Sequence, residues 1–520
     1  MPAETSPEQR GLNSFNINTK KDTNVLLIEP PNRFPPEAGR RPNGALGPVY
    51  LAGGLRNAGY SVDYLDAAVG GKQYTLEDVY LRENRPDEKG LVHIGMSDEE
   101  IAEAVQGYNI IGISNIFTLQ TNSALRVAHI ARQVNPGALL IAGGVNAWSM
   151  PEKFLDEFDA ICAGEGEQVI LDLASSQAMH EKWQNVQGLI HRVDGKTRRS
   201  GMPRTTINLD ELPVPAYDLW PLEKYWQASA PHGGDFPPGM MVRYASMQTS
   251  RGCPFDCTFC HVSWEKDNPE LVGPIGKLRF KSIDRVIYEA QILKDLGVEW
   301  LFLEDDSLLS NVPRITEIFG RIKELGLNLA DVNGVNLVHL FKRDNGQLIP
   351  NEELLNSMID AGFKQLVLPF ESASSRIISK YATNKWNPLT MDVVKLVQTA
   401  KRMGLTVPGN FMIGFPDETQ EELDSTVRLA EELINAGLDY ASFFVVSPYP
   451  GSALYETAVR EGYLDRDIDP DSLHWGNPVM RNTTIPPEEL IRIRREEYQR
   501  INNPQFISGK YERNVIPKKK

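Results

Sequence analysis

The stretch SRGCPFDCTFCHVSWEKD, residues 250 to 267, holds three of the chain's four cysteines: Cys253, Cys257 and Cys260, spaced C-x3-C-x2-C. A disulfide would leave an odd thiol and needs an oxidising compartment. Zinc needs a fourth ligand; His261 follows directly, but adjacent side chains point in different directions and rarely reach one tetrahedral ion together. Iron–sulfur is the third reading, since thiolates on a tight loop are the usual cluster ligands. Three thiolates on a four-iron cluster leave one iron open, and an open iron can bind substrate. The fourth cysteine, Cys162, lies in the apolar run ICAGEGE and reads as a buried structural thiol.

Composition limits what surrounds this loop. At 520 residues, 41% hydrophobic and 24% charged, the chain is long enough for two to four globular domains. A net charge of −15 lacks the basic footprint of a general nucleic-acid binder. No apolar run approaches the roughly 18 residues of a membrane span, and the polar start MPAETSPEQR lacks the apolar region of a signal peptide. The cytoplasm is the expected location. The eight histidines are scattered without paired spacing and most read as surface or satisfied polar residues; His339, just past the expected third strand, is the one to test for chemistry.

The elements that must position the cysteines alternate between strand and helix patterns. A strand around 245–250 feeds the loop. SIDRVIYEAQILKDLG follows, with Ile283, Val286, Ile287, Ala290 and Leu293 on one helical face. Further strands are expected at VEWLFLEDD (298–306), in the segment containing NGVNLV (333–338), and at KQLVLPFES (364–372), TVPGNFMIGFP (406–416) and YASFFVVSP (440–448), with helices between them. Six strands joined by helices predict a parallel sheet whose ligands gather at the C-terminal strand ends. Those ends are polar or turn-forming: Glu304-Asp305-Asp306, Asn336, Glu371-Ser372 and Gly414.

With Phe259 before the last cysteine, this pattern resembles the radical S-adenosylmethionine (SAM) enzymes, and the resemblance spans residues 245 to 455. It implies a (β/α)6 partial TIM barrel with a [4Fe–4S] cluster on Cys253, Cys257 and Cys260. It also implies SAM on the open iron. The second strand end, Glu304, Asp305 and Asp306, would meet the amino group of SAM, with Asp305 foremost. Glu371, with Ser372 beside it, would contact the ribose or carboxylate end. Asn410 to Gly414, including Ile413, would line the adenine.

Residues 23 to 195 show a second α/β pattern. Apolar strands NVLLIEPP, SVDYLD, NIIGISNIF, ALLIAGG and DAICAGEGE alternate with helices, as in an open doubly wound, Rossmann-like sheet. No G-x-G-x-x-G follows the first strand, which argues against a dinucleotide site. Gly143-Gly144 and Gly164-Glu165-Gly166-Glu167 fall at strand ends, where small residues let a large flat ligand approach the backbone. This half resembles the cobalamin-binding domain placed before many radical SAM domains. Ser114 and Asn115 in SNIF look like its second loop, IAGG its third and GEGE its fourth. The Asp-x-His-x-x-Gly of the mutases is missing from EPPNRFPPEAGRRPNGALGP, so the resemblance implies cobalamin without a histidine ligand, with Asn43 to Tyr50 covering that face. Residues 196 to 244 read as a proline-rich wrapping linker, 456 to 520 as a segment capping the barrel's open side, and 1 to 22 as a polar tail.

Together the two resemblances imply a cobalamin-dependent radical SAM methyltransferase. It would methylate an unactivated carbon or a phosphorus of a small molecule through a 5′-deoxyadenosyl radical and methylcobalamin. Reduced flavodoxin or ferredoxin would supply electrons, and the chain is expected to be a monomer. The stretches GMSDEEIAEAV and ASFFVVSPYPGSALYE weakly resemble methylases of the fosfomycin-biosynthesis type. A cyclase or ring-rearranging enzyme using the same cofactors is the nearest alternative, and a non-catalytic cofactor sensor a more distant one.

Overall fold

The structure is a computed structural model that describes residues 22–505 and 507, apart from 37–41, 43, 83, 229–235, 237–239 and 384. Residues 1–21 of the expected polar tail, Asn43 and the closing PKKK lie outside the described residues.

The N-terminal domain is built on strands β1 (Asn24–Glu29), β2 (Ser61–Asp66), β3 (Ile110–Ser114), β4 (Leu139–Gly143) and β5 (Ala160–Cys162), joined by helices such as Leu46–Asn57 and Thr121–Val134. Val25 to Ile28, Ile110, Ile111, Leu140 and Ile161 are buried, as expected of parallel strands covered on both faces. Two more strands, β6 (Leu189–Val193) and β7 (Lys196–Arg199), continue the sheet antiparallel, giving the order β2-β1-β3-β4-β5-β6-β7. The β6–β7 hairpin turns at Asp194 and Gly195, both at positive φ. The sheet thus reaches four residues past the expected end of the domain at 195. The order 2-1-3-4-5 puts the switch point, where ligands enter such sheets, between the C-terminal ends of β1 and β3.

The second domain carries β8 (Tyr244–Met247), β9 (Trp300–Leu303), β10 (Asn328–Asp331), β11 (Leu368–Glu371), β12 (Pro408–Ile413) and β13 (Tyr440–Val445). They pair in parallel as two halves, β8-β9-β10 and β11-β12-β13. The halves touch through single bonds such as Val335 N–H to the Val367 carbonyl, 3.1 Å. Two features prevent a regular ladder there. The chain leaves β10 through a turn at Gly334 (φ +81°), and β11 carries Pro369, which has no N–H to donate. The third strand is therefore NLAD, 328–331. NGVNLV forms the turn after it and runs into the short 3-10 helix Leu337–Leu340, and the Asn336 side chain donates to Ser307 Oγ at 3.2 Å.

Helices between the strands start where side chains can bond the free N–H groups. Ser282, Asn311, Asn351 and Asp392 each accept from the first turn of the following helix, and Thr419 with Glu422 forms a reciprocal capping box. The C-terminal segment meets the outer edge of β13 at Asn502. The Asn502 side chain accepts from Ala441 N–H (2.7 Å) and donates to the Ala441 carbonyl (2.9 Å), pairing with β13 as a further strand would.

The two domains share a core. Val49 and Tyr50 of helix Leu46–Asn57, with Tyr217, Trp220 and Tyr225 of the connecting segment, pack into the same apolar cluster as Leu301, Leu329 and Phe411 of the barrel. The described part of this connection around Tyr217–Tyr225 is thus packed, and it includes helix Leu222–Ala228. No helix among the described residues is long and apolar enough to cross a membrane.

Candidate cofactor sites

The cysteine loop leaves β8 and is pinned at several points. Ser250–Arg251 pairs antiparallel with Arg279–Phe280, and Asp256–Cys257 with Ala382–Thr383. Gly252 sits at φ +83°, and a Cβ there would lie 2.4 Å from the Lys277 carbonyl oxygen, so only glycine fits. Cys253 N–H bonds the Gly276 carbonyl at 3.2 Å, Cys260 N–H the Cys257 carbonyl at 3.1 Å, and Lys266 Nζ the Phe255 carbonyl at 2.7 Å. The thiols are free, with Cys257 buried and Cys253 and Cys260 half-buried. Burial pushes Cys257 and Cys260 up to about 12, with smaller contributions that include Cys253 beside both of them. Metal binding at such thiols must displace protons.

No three His, Cys, Asp or Glu side chains among the described residues are gathered to hold a single ion. Three thiols on one pinned loop are the usual ligand set of an iron–sulfur cluster. Cys162 lies in β5 of the other sheet, buried, with its thiol pushed up to about 12 by burial and then by Glu167 and Glu165.

At the strand ends the three neighbouring carboxylates divide. Asp305 is buried, and its oxygens accept from Thr249 N–H (3.0 Å), Thr249 Oγ1 (2.8 Å) and Ser250 Oγ. That use of both oxygens ties the segment after β9 to the segment after β8. Asp306 accepts from Gly252 N–H at 2.9 Å and lies close enough to Cys253 and Cys260 to raise both thiols. Glu304 is half-buried, hydrogen-bonds Ser246 and is pushed up to about 7, chiefly by burial.

Glu371 is held at φ +58°, a strained position for a residue with a side chain, and pairs with Lys385 Nζ at 2.5 Å. Lys385 also lies 6.0 Å from the Phe259 ring, and Phe259 faces Phe415 at 6.2 Å. Burial works against the Lys385 charge, but Glu371 and then Cys257 outweigh it and raise its pKa. Sequence reasoning missed this lysine, which lies fourteen residues beyond the strand it serves. Ser372 bonds the Thr426 hydroxyl (3.2 Å) and Ser374 N–H (3.1 Å), so it shapes the turn. Ile413 is fully buried and Asn410 half-buried on β12. His339 packs its ring 5.5 Å from Phe255 of the cysteine loop, and burial lowers it to about 4.

In the N-terminal domain the expected loop residues also divide. Gly143 has open space where a Cβ would stand, and Ser114 is half-buried at the end of β3. Gly144 (φ +100°) packs on the Asn115 carbonyl, 2.5 Å from where its Cβ would be. Asn115 accepts from Asn146 and donates to the Phe117 carbonyl. Gly166 faces Leu51, and Gly164 faces the Val272 carbonyl of the second domain. Glu165 and Glu167 pair with Arg251 and Arg279, also of the second domain.

Glu29, at the end of β1, supplied no sequence signal beyond its place. Burial, then Asp66, pushes it up to about 8, and Gln120 donates to it at 3.0 Å. Glu29 Oε2, Gln120 Oε1 and Asn146 Oδ1 are buried with no partner. Such orphaned atoms at the switch point fit a group rich in amides, as cobalamin is.

The comparisons with known proteins agree with this geometry. Residues 247–430 match the model of the radical SAM superfamily, and residues 44–174 that of the B12 binding domain. An uncharacterised methyltransferase of Pyrococcus horikoshii is 32% identical over 412 residues, 77% of this chain and 80% of that protein. The chain belongs to the cobalamin-dependent radical SAM methyltransferases. Cytidylyl-2-hydroxyethylphosphonate methyltransferase of Streptomyces wedmorensis is another relative of this family, 28% identical over 86% of this chain and 84% of its own. Among solved structures, the cobalamin-dependent SAM radical enzyme OxsB superposes with a TM-score of 0.66 over 94% of this chain and 70% of that one, at 13% identity. The radical SAM methyltransferase TsrM of Kitasatospora setae superposes at 0.62 over 93% and 90%, at 15% identity. These two likenesses bear out the expected fold, a doubly wound B12-binding domain followed by the radical SAM barrel.

Proposed function

We propose that the enzyme transfers a methyl group from SAM to an unactivated carbon, or a phosphorus, of a small biosynthetic intermediate. The observation that carries this reading is the seating of the three-cysteine loop directly against the strand-end loops of the B12-binding domain. When bound, the cluster and the cobalamin supply reductive SAM cleavage and methyl carriage. The chain's own residues do the rest. Cys253, Cys257 and Cys260 are the cluster ligands, and their loop is braced by Gly276, Ala382 and Lys266. Asp306 and Glu304 would hold the ammonium of SAM, to which carboxylates make charge-assisted hydrogen bonds. Phe259 and Phe415 wall the site from water, and Lys385, paired with Glu371, carries a buried positive charge beside Cys257. Gly143 and Ser114 would leave room for the corrin, and Glu29, Gln120 and Asn146 would supply partners for its amides.

The relative acting on a cytidylyl phosphonate supports a small-molecule substrate. A reduced flavodoxin or ferredoxin as electron donor, a monomeric state and a cytoplasmic location complete the proposal. A second reading is favoured by one group of relatives: the anaerobic magnesium-protoporphyrin IX monomethyl ester cyclase of Rubrivivax gelatinosus is 24% identical over 87% of this chain. S-adenosylhomocysteine formed with a methylated product separates transfer from cyclisation.

Electron paramagnetic resonance of the cob(II) form tests the cobalamin site. The spectrum is expected to lack nitrogen splitting from an axial base. Among the described residues His93 is the histidine on a strand paired with the segment following β1, and its Nε2 is taken by the Met96 carbonyl at 3.0 Å. Splitting from one axial nitrogen, or no cobalamin binding, would contradict the assignment.

A further inference from the structure

The loop GEGE was expected to touch cobalamin, yet its two glutamates reach into the other domain. Glu165 takes Arg251 Nη1 at 3.0 Å and Arg279 Nη2 at 2.6 Å; Glu167 takes Arg251 Nη2 at 2.7 Å. All four side chains are at most 14% exposed. Arg251 stands two residues before Cys253 and directly opposite Arg279 on a short antiparallel ribbon. Like charges opposite each other on paired strands repel. Glu165, bonded to both, offsets that repulsion across the ribbon that launches the cysteine loop.

Two contacts of other kinds join the same pair of surfaces. Gly164 (φ +86°) lets the Val272 carbonyl come within 2.1 Å of where a Cβ would be. Trp148, after β4, stacks on Trp264, in the helix that starts after Cys260, with ring centroids 5.1 Å apart and planes at 23°.

We propose that Glu165, Glu167, Arg251 and Arg279 form a latch between the domains, fixing the cluster loop against the B12-binding domain. They are positioning residues, and the latch sets the separation and orientation of the two cofactor sites. It rests on the proposed function only for what occupies those sites.

Hydrogen exchange on the full-length enzyme, with iron and cobalt content recorded, tests the latch from both sides. Glu165→Gln is expected to raise exchange at least tenfold in residues 250–260, although residue 165 is 86 positions from Arg251 in sequence. Arg251→Lys, which keeps the charge but loses the fork geometry, is expected to raise exchange in 159–168 by a smaller factor. The double variant Glu167→Arg with Arg251→Glu should regain protection on both sides relative to Arg251→Glu alone. If Glu165→Gln does not fold, Glu167→Gln removes a single ion pair and serves the same comparison. Exchange changes confined to the substituted side, or a double variant no better protected than the single one, would overturn the latch. Wild-type enzyme that binds no cobalamin would instead count against the proposed function, since the exchange readout needs no cofactor.

Discussion

Replacing Cys253, Cys257 and Cys260 together by alanine is expected to abolish iron binding and SAM cleavage while cobalamin content stays at the wild-type level. The cysteines sit on one loop of the barrel, and the strand ends assigned to cobalamin belong to the other sheet. Anaerobic reconstitution of the wild type should give about four irons per chain. Cys162→Ala should keep them, because that thiol is buried in β5. Iron lost in Cys162→Ala, or zinc in place of iron at the loop, would refute the ligand assignment.

The second large effect separates two adjacent aspartates. Asp306→Asn is expected to weaken SAM binding by roughly ten- to a hundredfold, since a charge-assisted hydrogen bond is worth about 1.5–3 kcal/mol and each 1.4 kcal/mol is about a decade. Asp305→Asn should act differently. Its carboxylate already serves Thr249 and Ser250, so its loss lowers the unfolding free energy by about 1.5–3 kcal/mol, with SAM affinity of the folded enzyme nearly unchanged. Calorimetric titration with SAM alongside thermal unfolding distinguishes them. The opposite pattern, with Asp305→Asn losing affinity and Asp306→Asn only stability, would reverse the assignment.

How far the sequence alone reached follows from which interactions are local. Both domains, the cysteine loop and five of the six barrel strands were placed from periodicity and spacing, which are properties of neighbouring residues. The third strand was set too late. NGVNLV has the apolar pattern, but Gly334 turns the chain, and the shorter NLAD pairs instead. Lys385, the Arg251–Glu165 pair and the distinction between Asp305 and Asp306 were out of reach, because each depends on residues distant in the chain. Glu289 is the clearest case. It falls on the helix that begins at Ile283 and is fully buried, which no hydrophobic pattern predicts. Lys281 at 2.6 Å, Arg285 at 2.6 Å and the Tyr217 hydroxyl at 3.2 Å satisfy it. Removing one partner from such a buried pair costs about 3–5 kcal/mol. Lys281 also donates to the Tyr50 hydroxyl at 2.7 Å, which ties this pair to the first domain. The GEGE glutamates lie at a strand end that spacing reveals, while their ion-pair partners across the domain boundary lie beyond any local pattern.

The central claim, that one chain brings SAM and cobalamin together for methyl transfer, can be tested without knowing the substrate. The reconstituted enzyme would be incubated anaerobically with a strong reductant and SAM labelled in its methyl group. The account predicts labelled methyl on the protein-bound cobalamin and about one S-adenosylhomocysteine per cobalamin methylated. Cobalamin that stays unlabelled while SAM is cleaved only to 5′-deoxyadenosine would contradict it.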